Sequence, residues 1–368
     1  MKSKFNKKKI AKIVLADVLI FAVSILTFAY FDHVRSWGDD TPVDPIKPPS
    51  FDISSEASKD SDNSKDSDNS KDSDNSKDFD NSKDTEISED SSKETSEEPS
   101  ENTSSESNIP DGVYTDGEVI STETLYKSQY VSIEVKEINF EDKLYMVQDV
   151  YVKHIESLAA GFAKGLTPLS GEKSTIYEMV EHYRNNGYNI VAAINGDYCG
   201  YNSKGVTIRN GVLYGKGIAQ FDVCIIYKDG TMVTMPPEEF DAKTELEKGA
   251  WHVWDFGPSL LSDDGNAFSS FNSDYQKIAK ANPRTAIGYY EPGHYCFVVA
   301  GGRGEQPYGV TLASLSRFMK SLECKSAYNL DGGRSSIMVF GDEIVNEKYQ
   351  DVNRSNTDMV FIQDFSNN

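Results

Sequence analysis

The chain of 368 residues has only four cysteines and five histidines, and their placement excludes several kinds of chemistry. Cys199, Cys224, Cys296 and Cys324 include no Cys-x-x-Cys pair, which removes a structural zinc site of the usual spacing. His33, His154, His182, His252 and His294 are scattered, with no two at metal-ligand spacing, so no transition-metal cluster is expected. Ser335 and Ser336 lack the Gly-x-Ser-x-Gly elbow of a serine hydrolase, and no histidine is placed to serve them. Positive charge is also scarce, with 37 Lys and Arg against 59 Asp and Glu and a net charge of -22. Beyond the N-terminal flank there is no basic stripe, which argues against nucleic acid as a partner. The four cysteines allow up to two disulfides in three connectivities. Each also sits in or beside an apolar run, where buried free thiols are common, and both readings stay open.

What is present first is one long apolar run, Ile13 to Phe31. At about 1.5 Å rise per residue it can cross a hydrocarbon core of roughly 30 Å, so it reads as a transmembrane helix. Its one charge, Asp17, lies a turn inside the N-terminal end near Lys12, where headgroups can solvate it. The run ends in Ala29-Tyr30-Phe31-Asp32 with no small-x-small pattern, which favours an uncleaved anchor over a cleaved signal peptide. Lys2, Lys4, Lys7, Lys8, Lys9 and Lys12 precede it, so residues 1–12 are expected in the cytoplasm and everything after Phe31 outside. The expected location is therefore the cell membrane, single-pass.

Residues 32–110 contain almost nothing that could build a core. Between Phe51 and Asp111 stand 20 Asp and Glu against 6 Lys, a net of -14. From Lys59 to Lys83 the unit Lys-Asp-Ser-Asp-Asn-Ser recurs every six residues, with Phe79 replacing Ser in one copy. A six-residue β-helix needs an apolar position in each turn, and here there is none. Loose Ca²⁺ binding would need a glycine-shaped turn, also missing. The expectation is a disordered acidic tether, about 50 Å from end to end as a flexible coil and longer when self-repelled.

From Asp111 to Asn368 the composition becomes globular. Val131 to Asn139 and Leu144 to Ile155 alternate like half-buried strands. Thr175 to Asn186 has helical spacing, with Ser174 as N-cap and Gly187 as C-cap, and Thr311 to Leu322 is amphipathic. Arg209-Asn210-Gly211, Lys228-Asp229-Gly230 and Glu291-Pro292-Gly293-His294 mark three hairpin turns. Asn189 to Ile194 and Ser326 to Leu330 are continuously apolar and read as strands buried on both faces. These elements predict a single extracytoplasmic α+β domain, a mixed sheet with helices packed on it and several β-hairpins.

The two buried strands end in Asn195-Gly196-Asp197 and Asn329-Leu330-Asp331-Gly332-Gly333-Arg334-Ser335-Ser336. Strand ends of this kind face the crevice where ligands bind, and glycine lets a backbone approach closely. Asp197 and Asp331 are therefore the candidate catalytic pair, although each alone could be a turn aspartate. Arg284 and Arg303 flank one hairpin and offer planar forks suited to phosphate or carboxylate oxygens; the alternative is a surface salt bridge. Gly332, Gly333, Ser335 and Ser336 would form an anion-receptive loop. No cofactor is required, but Ca²⁺ or Mg²⁺ could be held by Asp197 and Asp331. Trp251 and Trp254 could stack on a sugar ring, with core packing the commoner role for such residues.

Taken together, the motifs resemble the phosphodiester glycosidase family, from about Tyr114 to Phe365. They are Asn195-Gly196-Asp197-Tyr198 with Gly200, Phe256-Gly257-Pro258-Ser259-Leu260-Leu261, Pro283-Arg284-Thr285-Ala286-Ile287-Gly288, Gly309-Val310-Thr311-Leu312, and Asn329 to Gly333 with Ser335 and Ser336. Two positions depart from the pattern: Ala300-Gly301-Gly302-Arg303 stands where the family usually reads Asp-Gly-Arg, and Arg334 replaces a third glycine. The resemblance implies hydrolysis of a sugar-1-phosphodiester on a cell-surface glycan or glycoconjugate, such as an exopolysaccharide or a teichoic-acid-like polymer. On that reading Arg284 and Arg303 hold the phosphate, Asp197 and Asp331 act as nucleophile or general base, and Asn195, Thr285 and Asn329 help bind substrate. The competing reading is a module that binds a wall or capsular glycan without cleaving it.

Overall fold

The computed structural model describes residues 109–199, 205–215, 217–301, 309–346 and 354–366. The anticipated membrane span, the acidic tether and Arg303 lie outside them. Among the described residues no helix is long and apolar enough to cross a membrane.

Among the described residues seventeen strands, numbered in chain order, form three sheets. The first has the spatial order β1 (Ile120–Ser121), β2 (Leu125–Lys127), β3 (Val131–Phe140), β4 (Lys143–Val152), β13 (His294–Ala300), β12 (Arg284–Glu291) and β14 (Ser326–Asn329). The second runs β10 (Met232–Met235), β9 (Val223–Tyr227), β11 (Ala250–Asp255), β7 (Val206–Arg209) and β8 (Val212–Gly215). The third runs β16 (Glu343–Ile344), β15 (Met338–Phe340), β6 (Ile190–Asn195), β17 (Asp358–Gln363) and β5 (Leu158–Phe162). Among the described residues this is a β-rich fold with few helices.

The turns explain much of the hairpin register. Glu141 and Asp142, between β3 and β4, both have positive φ, at 50° and 56°. Asn210 and Gly211, between β7 and β8, do the same at 52° and 76°. This backbone matches the right-handed twist of the flanking strands. The expected mixed sheet is corrected: every strand pairing among the described residues is antiparallel. The unbroken apolar runs have another cause. β6 lies between β15 and β17, with α1 (Ile176–Asn185) packed against it. β14 pairs with β12, and its other edge is covered by the Phe256 motif, where Leu260 N–H donates to Ala327 O (2.8 Å) and Asn329 N–H to Pro258 O (3.1 Å).

Helix α1 begins one residue later than expected. Thr175 is the N-cap, its hydroxyl accepting from Glu178 N–H (3.1 Å) while its own N–H donates to Glu178 Oε2 (2.8 Å). That reciprocal pair satisfies two otherwise orphaned donors. Ser174 is instead bridged to Asn356. Ile176, Met179, Val180 and Tyr183 form the buried stripe. After the short α2 (Ala242–Glu247), α3 (Leu312–Ser321) is capped by Thr311 and buries Leu312, Leu315, Phe318 and Met319 over the first sheet, with Phe318 stacked on Tyr145 at 3.7 Å. The main core joins all three sheets through residues such as Ile133 and Phe297, Ile226 and Trp254, and Ile194 and Val360. All four cysteines are buried free thiols, and only Cys296 and Cys324 have sulfurs in contact, 3.7 Å apart.

Candidate active site

The carboxyl ends of β6 and β14 come together. Asp331 N–H donates to Gly196 O (3.2 Å), and the Asn195 amide donates to Asp331 O (2.7 Å) and Gly196 O (3.0 Å). Asn195 Oδ1 accepts from the Thr285 hydroxyl (2.7 Å) and from Ile337 N–H (3.2 Å). Asn195 and Thr285 are both buried, and together they rivet the two strand ends to β12. Both side chains, expected from sequence to help bind substrate, spend these bonds on positioning the strand ends. Asn329 is likewise buried and donates to Gly257 O (2.8 Å), while its Oδ1 has no hydrogen-bond partner among the described residues.

The loop after Asp331 approaches the backbone before β12 closely. Gly333 N–H donates to Pro283 O (2.7 Å), and a Cβ on Gly332 would stand 2.8 Å from that same oxygen. Glycine is thus required at 332 by close approach. Asp331 Oδ1 accepts from Gly332 N–H (2.8 Å), and the carboxylate also bonds the Ser335 side chain. Burial raises the Asp331 pKa; the bonds from Ser335 and Gly332 oppose this, and Asp358 adds to it. Unlike its neighbours Asn329 and Leu330, Asp331 is only half-buried, as are Gly332 and Gly333. Ser335 and Ser336 are buried, so neither hydroxyl lies on an open anion-receptive surface as expected.

Asp197 sits differently. It is buried and shares a guanidinium with a residue far away in sequence: Arg209 Nη2 donates to Asp197 Oδ1 (2.7 Å) and to Asp358 Oδ2 (3.0 Å), all three side chains being inaccessible to solvent or nearly so. Tyr198 has a positive φ of 62°, and Asp197 Oδ1 accepts from Cys199 N–H (3.1 Å) while Oδ2 accepts from Asp255 N–H (3.1 Å). Arg209 also donates to the carbonyls of Ile208 and Val253 and lies over the Trp254 ring, 5.2 Å from its centroid. Burial raises the Asp197 pKa to about 7, with Arg209 opposing and Asp358 adding to the rise. Neither Arg209 nor Asp358 stood out in the sequence as a site residue. Arg209 precedes the Asn210-Gly211 turn and reads as part of a hairpin, and Asp358 is 149 residues away.

The arginines predicted for phosphate divide. Arg284 is buried and donates to the carbonyls of Val310 (3.2 Å), Ile278 and Lys280, clamping the segments before β12 and α3; burial lowers its pKa to about 10. These bonds brace the fold with the fork that the sequence offers to phosphate. Arg303 lies outside the described residues. Arg354, which sequence reading passed over, interacts electrostatically with Asp331. The tryptophans are packing residues: Trp254 is fully buried, and Trp251 Nε1 donates to Leu158 O (2.8 Å).

Oxygens of Asp197 and Asp358 and the Cys199 sulfur lie within 4.8 Å of one another. They do not fit a Ca²⁺ or Mg²⁺ site, because the Arg209 guanidinium already bridges the two carboxylates and burial raises the Cys199 thiol pKa well above its ordinary value. Hard ions prefer oxygen cages without a competing cation.

The acidic ends of β6 and β14 are thus riveted together in a β-rich frame. Residues 188–363, from just before β6 to the end of β17, match the family model of the phosphodiester glycosidases, the family whose motifs the sequence carries. The chain is similar in structure to the zebrafish N-acetylglucosamine-1-phosphodiester alpha-N-acetylglucosaminidase catalytic domain auto-inhibited by its pro-peptide, with a TM-score of 0.49 and 18% identity over 64% of this chain and 83% of that one. It is also similar to a hypothetical protein from Synechocystis, with a TM-score of 0.42 and 12% identity over 64% of this chain and 62% of that one. No curated protein matches the sequence.

Proposed function

We propose that this chain is a hydrolase that cleaves sugar-1-phosphodiester bonds, releasing free sugar and leaving a phosphomonoester. The observation that carries the reading is the half-buried Asp331, held at the β14 end by Asn195 and Gly196 inside the family-matched segment. A phosphate leaves readily, so the site needs little acid help. It needs a carboxylate near the anomeric carbon and positive charge at the departing oxygen. Asp331 has the exposure to serve as that carboxylate, as base or nucleophile. Asp197 is committed to Arg209 and, with Asp358, shapes the loop that Asp331 leans on. The N-terminal apolar run and the acidic repeat support display outside a membrane, where glycan phosphodiesters are the accessible substrates.

A second reading, glycan binding without cleavage, is favoured by Ala300, buried at the end of β13 where the family usually has an acid. The test is to incubate the full-length chain with UDP-N-acetylglucosamine and with methyl N-acetylglucosamine-1-phosphate, with and without chelator, and to follow free sugar. Sugar release is expected, and unchanged by chelator. Binding of glycan with no release would overturn the hydrolase reading in favour of the second.

A further inference from the structure

Cleavage of the C1–O bond leaves its electron pair on a phosphate oxygen, so the site requires a cation there. Arg284 is bound to three carbonyls. A different arginine stands at the right end of the fold. β17 runs antiparallel to β6, with Met359 opposite Asn195 and Gly196 N–H donating to Asp358 O (3.1 Å). Going backwards from Asp358 therefore carries the chain past the carboxyl end of β6, the end that holds Asp197 and meets Asp331. The backbone is tied down on this path: Ala163 N–H donates to Thr357 O (3.0 Å), and Asn356 pairs with Ser174 in both directions (2.7 and 3.0 Å). Two residues further back, the Arg354 carbonyl accepts from the Asn356 side chain (3.1 Å).

Three features of Arg354 point to an anionic ligand. The residue is half-buried, and its Nε is buried with no hydrogen-bond partner among the described residues. A buried N–H without an acceptor is unfavourable, and a bound anion would relieve it. Its charge reaches Asp331, the carboxylate assigned to the reaction, yet among the described residues it forms no ion pair with Asp331 or any other acid. The guanidinium is thus close to the site without being consumed by it. A planar fork of N–H donors matches two oxygens of a phosphoryl group.

We propose that Arg354 binds the phosphoryl group of the substrate and holds it beside Asp331. This rests on the phosphodiester reading above. As the C1–O bond breaks, the diester monoanion becomes a monoester carrying more charge, and Arg354 stabilises that increase. Water supplies the hydroxyl to C1, and its proton ends on the monoester or in solvent.

The test compares the full-length wild type with Arg354→Gln, Arg354→Lys and Asp331→Asn in two assays: sugar release from methyl N-acetylglucosamine-1-phosphate, and calorimetric binding of inorganic phosphate. Arg354→Gln is expected to lower kcat/KM by about 100-fold or more and to weaken phosphate binding by about 10-fold or more, with an unchanged melting temperature. Arg354→Lys should recover part of both, as a point charge without the fork. Asp331→Asn should lose turnover and keep phosphate binding. Phosphate bound equally well by wild type and Arg354→Gln, or not bound by wild type, overturns the role of Arg354 even if sugar is released. If wild type releases no sugar, the hydrolase reading fails by itself, and the phosphate titration still decides whether Arg354 holds the anion.

Discussion

Gly196 and Asp358 are in direct contact across the β6–β17 pair. Gly196 N–H donates to Asp358 O at 3.1 Å, and a Cβ built on Gly196 would stand 2.1 Å from an Asp358 carboxylate oxygen. No real side chain tolerates that separation, so glycine is the residue that lets Asp358 reach Arg209. Gly196→Ala is expected to displace the Asp358 carboxylate and lower unfolding free energy by about 2–4 kcal/mol, the sum of overpacking and a weakened buried ion pair. Urea denaturation measures it. A loss below about 0.5 kcal/mol would show that the strand can shift without disturbing the cluster.

Arg209 is the single cation between two buried carboxylates. Its replacement by Met keeps much of the volume and leaves Asp197 and Asp358 facing each other without a counterion. Breaking a buried pair by removing one partner typically costs about 3–5 kcal/mol. Arg209→Met should therefore destabilise by that order, and further replacing both acids with Leu should restore a large part of it. If the single variant melts like wild type, the cluster contributes no net stability.

The same cluster predicts a pH dependence. Burial raises the folded-state pKa of Asp197 to about 7, against about 3.9 in an unfolded chain. The folded state thus holds this proton more tightly. The resulting contribution to stability is full below about pH 4 and is lost as pH rises through about 7. Asp197→Asn cannot titrate, so the difference in unfolding free energy between wild type and variant should fall across that window. A flat difference would mean that Arg209 keeps Asp197 ionised in the folded state throughout.

Local chemistry was legible in the sequence where it decides structure by itself. Asn210-Gly211 supplies two successive positive φ values, and the stripe Ile176, Met179, Val180 and Tyr183 repeats at helical spacing. The paired acidic strand ends were legible for a similar reason, since Gly196 and Gly332 stand beside Asp197 and Asp331 and mark close backbone approach. Long-range partnership was not. Ser174 and Thr175 are equally good caps on paper, and the bridge to Asn356 with the reach of Glu178 decides between them. An arginine fork suits backbone carbonyls as well as phosphate, so nothing local distinguishes Arg284, which clamps Ile278, Lys280 and Val310, from an arginine that meets substrate. Arg209 and Asp358 become a pair only when β7 and β17 meet. The mixed sheet expected from two continuously apolar strands gave way to antiparallel pairing throughout the described residues, because burial on both faces can equally be achieved by a helix, as over β6, and by a covering loop, as beside β14.

The division of labour between the two aspartates makes the last prediction. In Asp331→Asn, the backbone contacts of residue 331 to Gly196 O and the Asn195 amide are untouched, and an amide oxygen can still accept from Gly332 N–H. The side chain is half-buried and forms no ion pair among the described residues, so the melting temperature should shift by no more than about 2 °C. Loss of the reacting carboxylate should lower kcat/KM by about 1,000-fold or more. In Asp197→Asn the balance reverses: an amide replaces one of the two oxygens that accept from Arg209, Cys199 N–H and Asp255 N–H inside a buried cluster, stability falls, and whatever remains folded should keep a substantial fraction of its turnover. Steady-state kinetics beside thermal melts on both variants separate the roles. Turnover retained by Asp331→Asn, with activity lost in a stably folded Asp197→Asn, would move the reacting carboxylate to the β6 end and make Arg209 its electrostatic partner in catalysis.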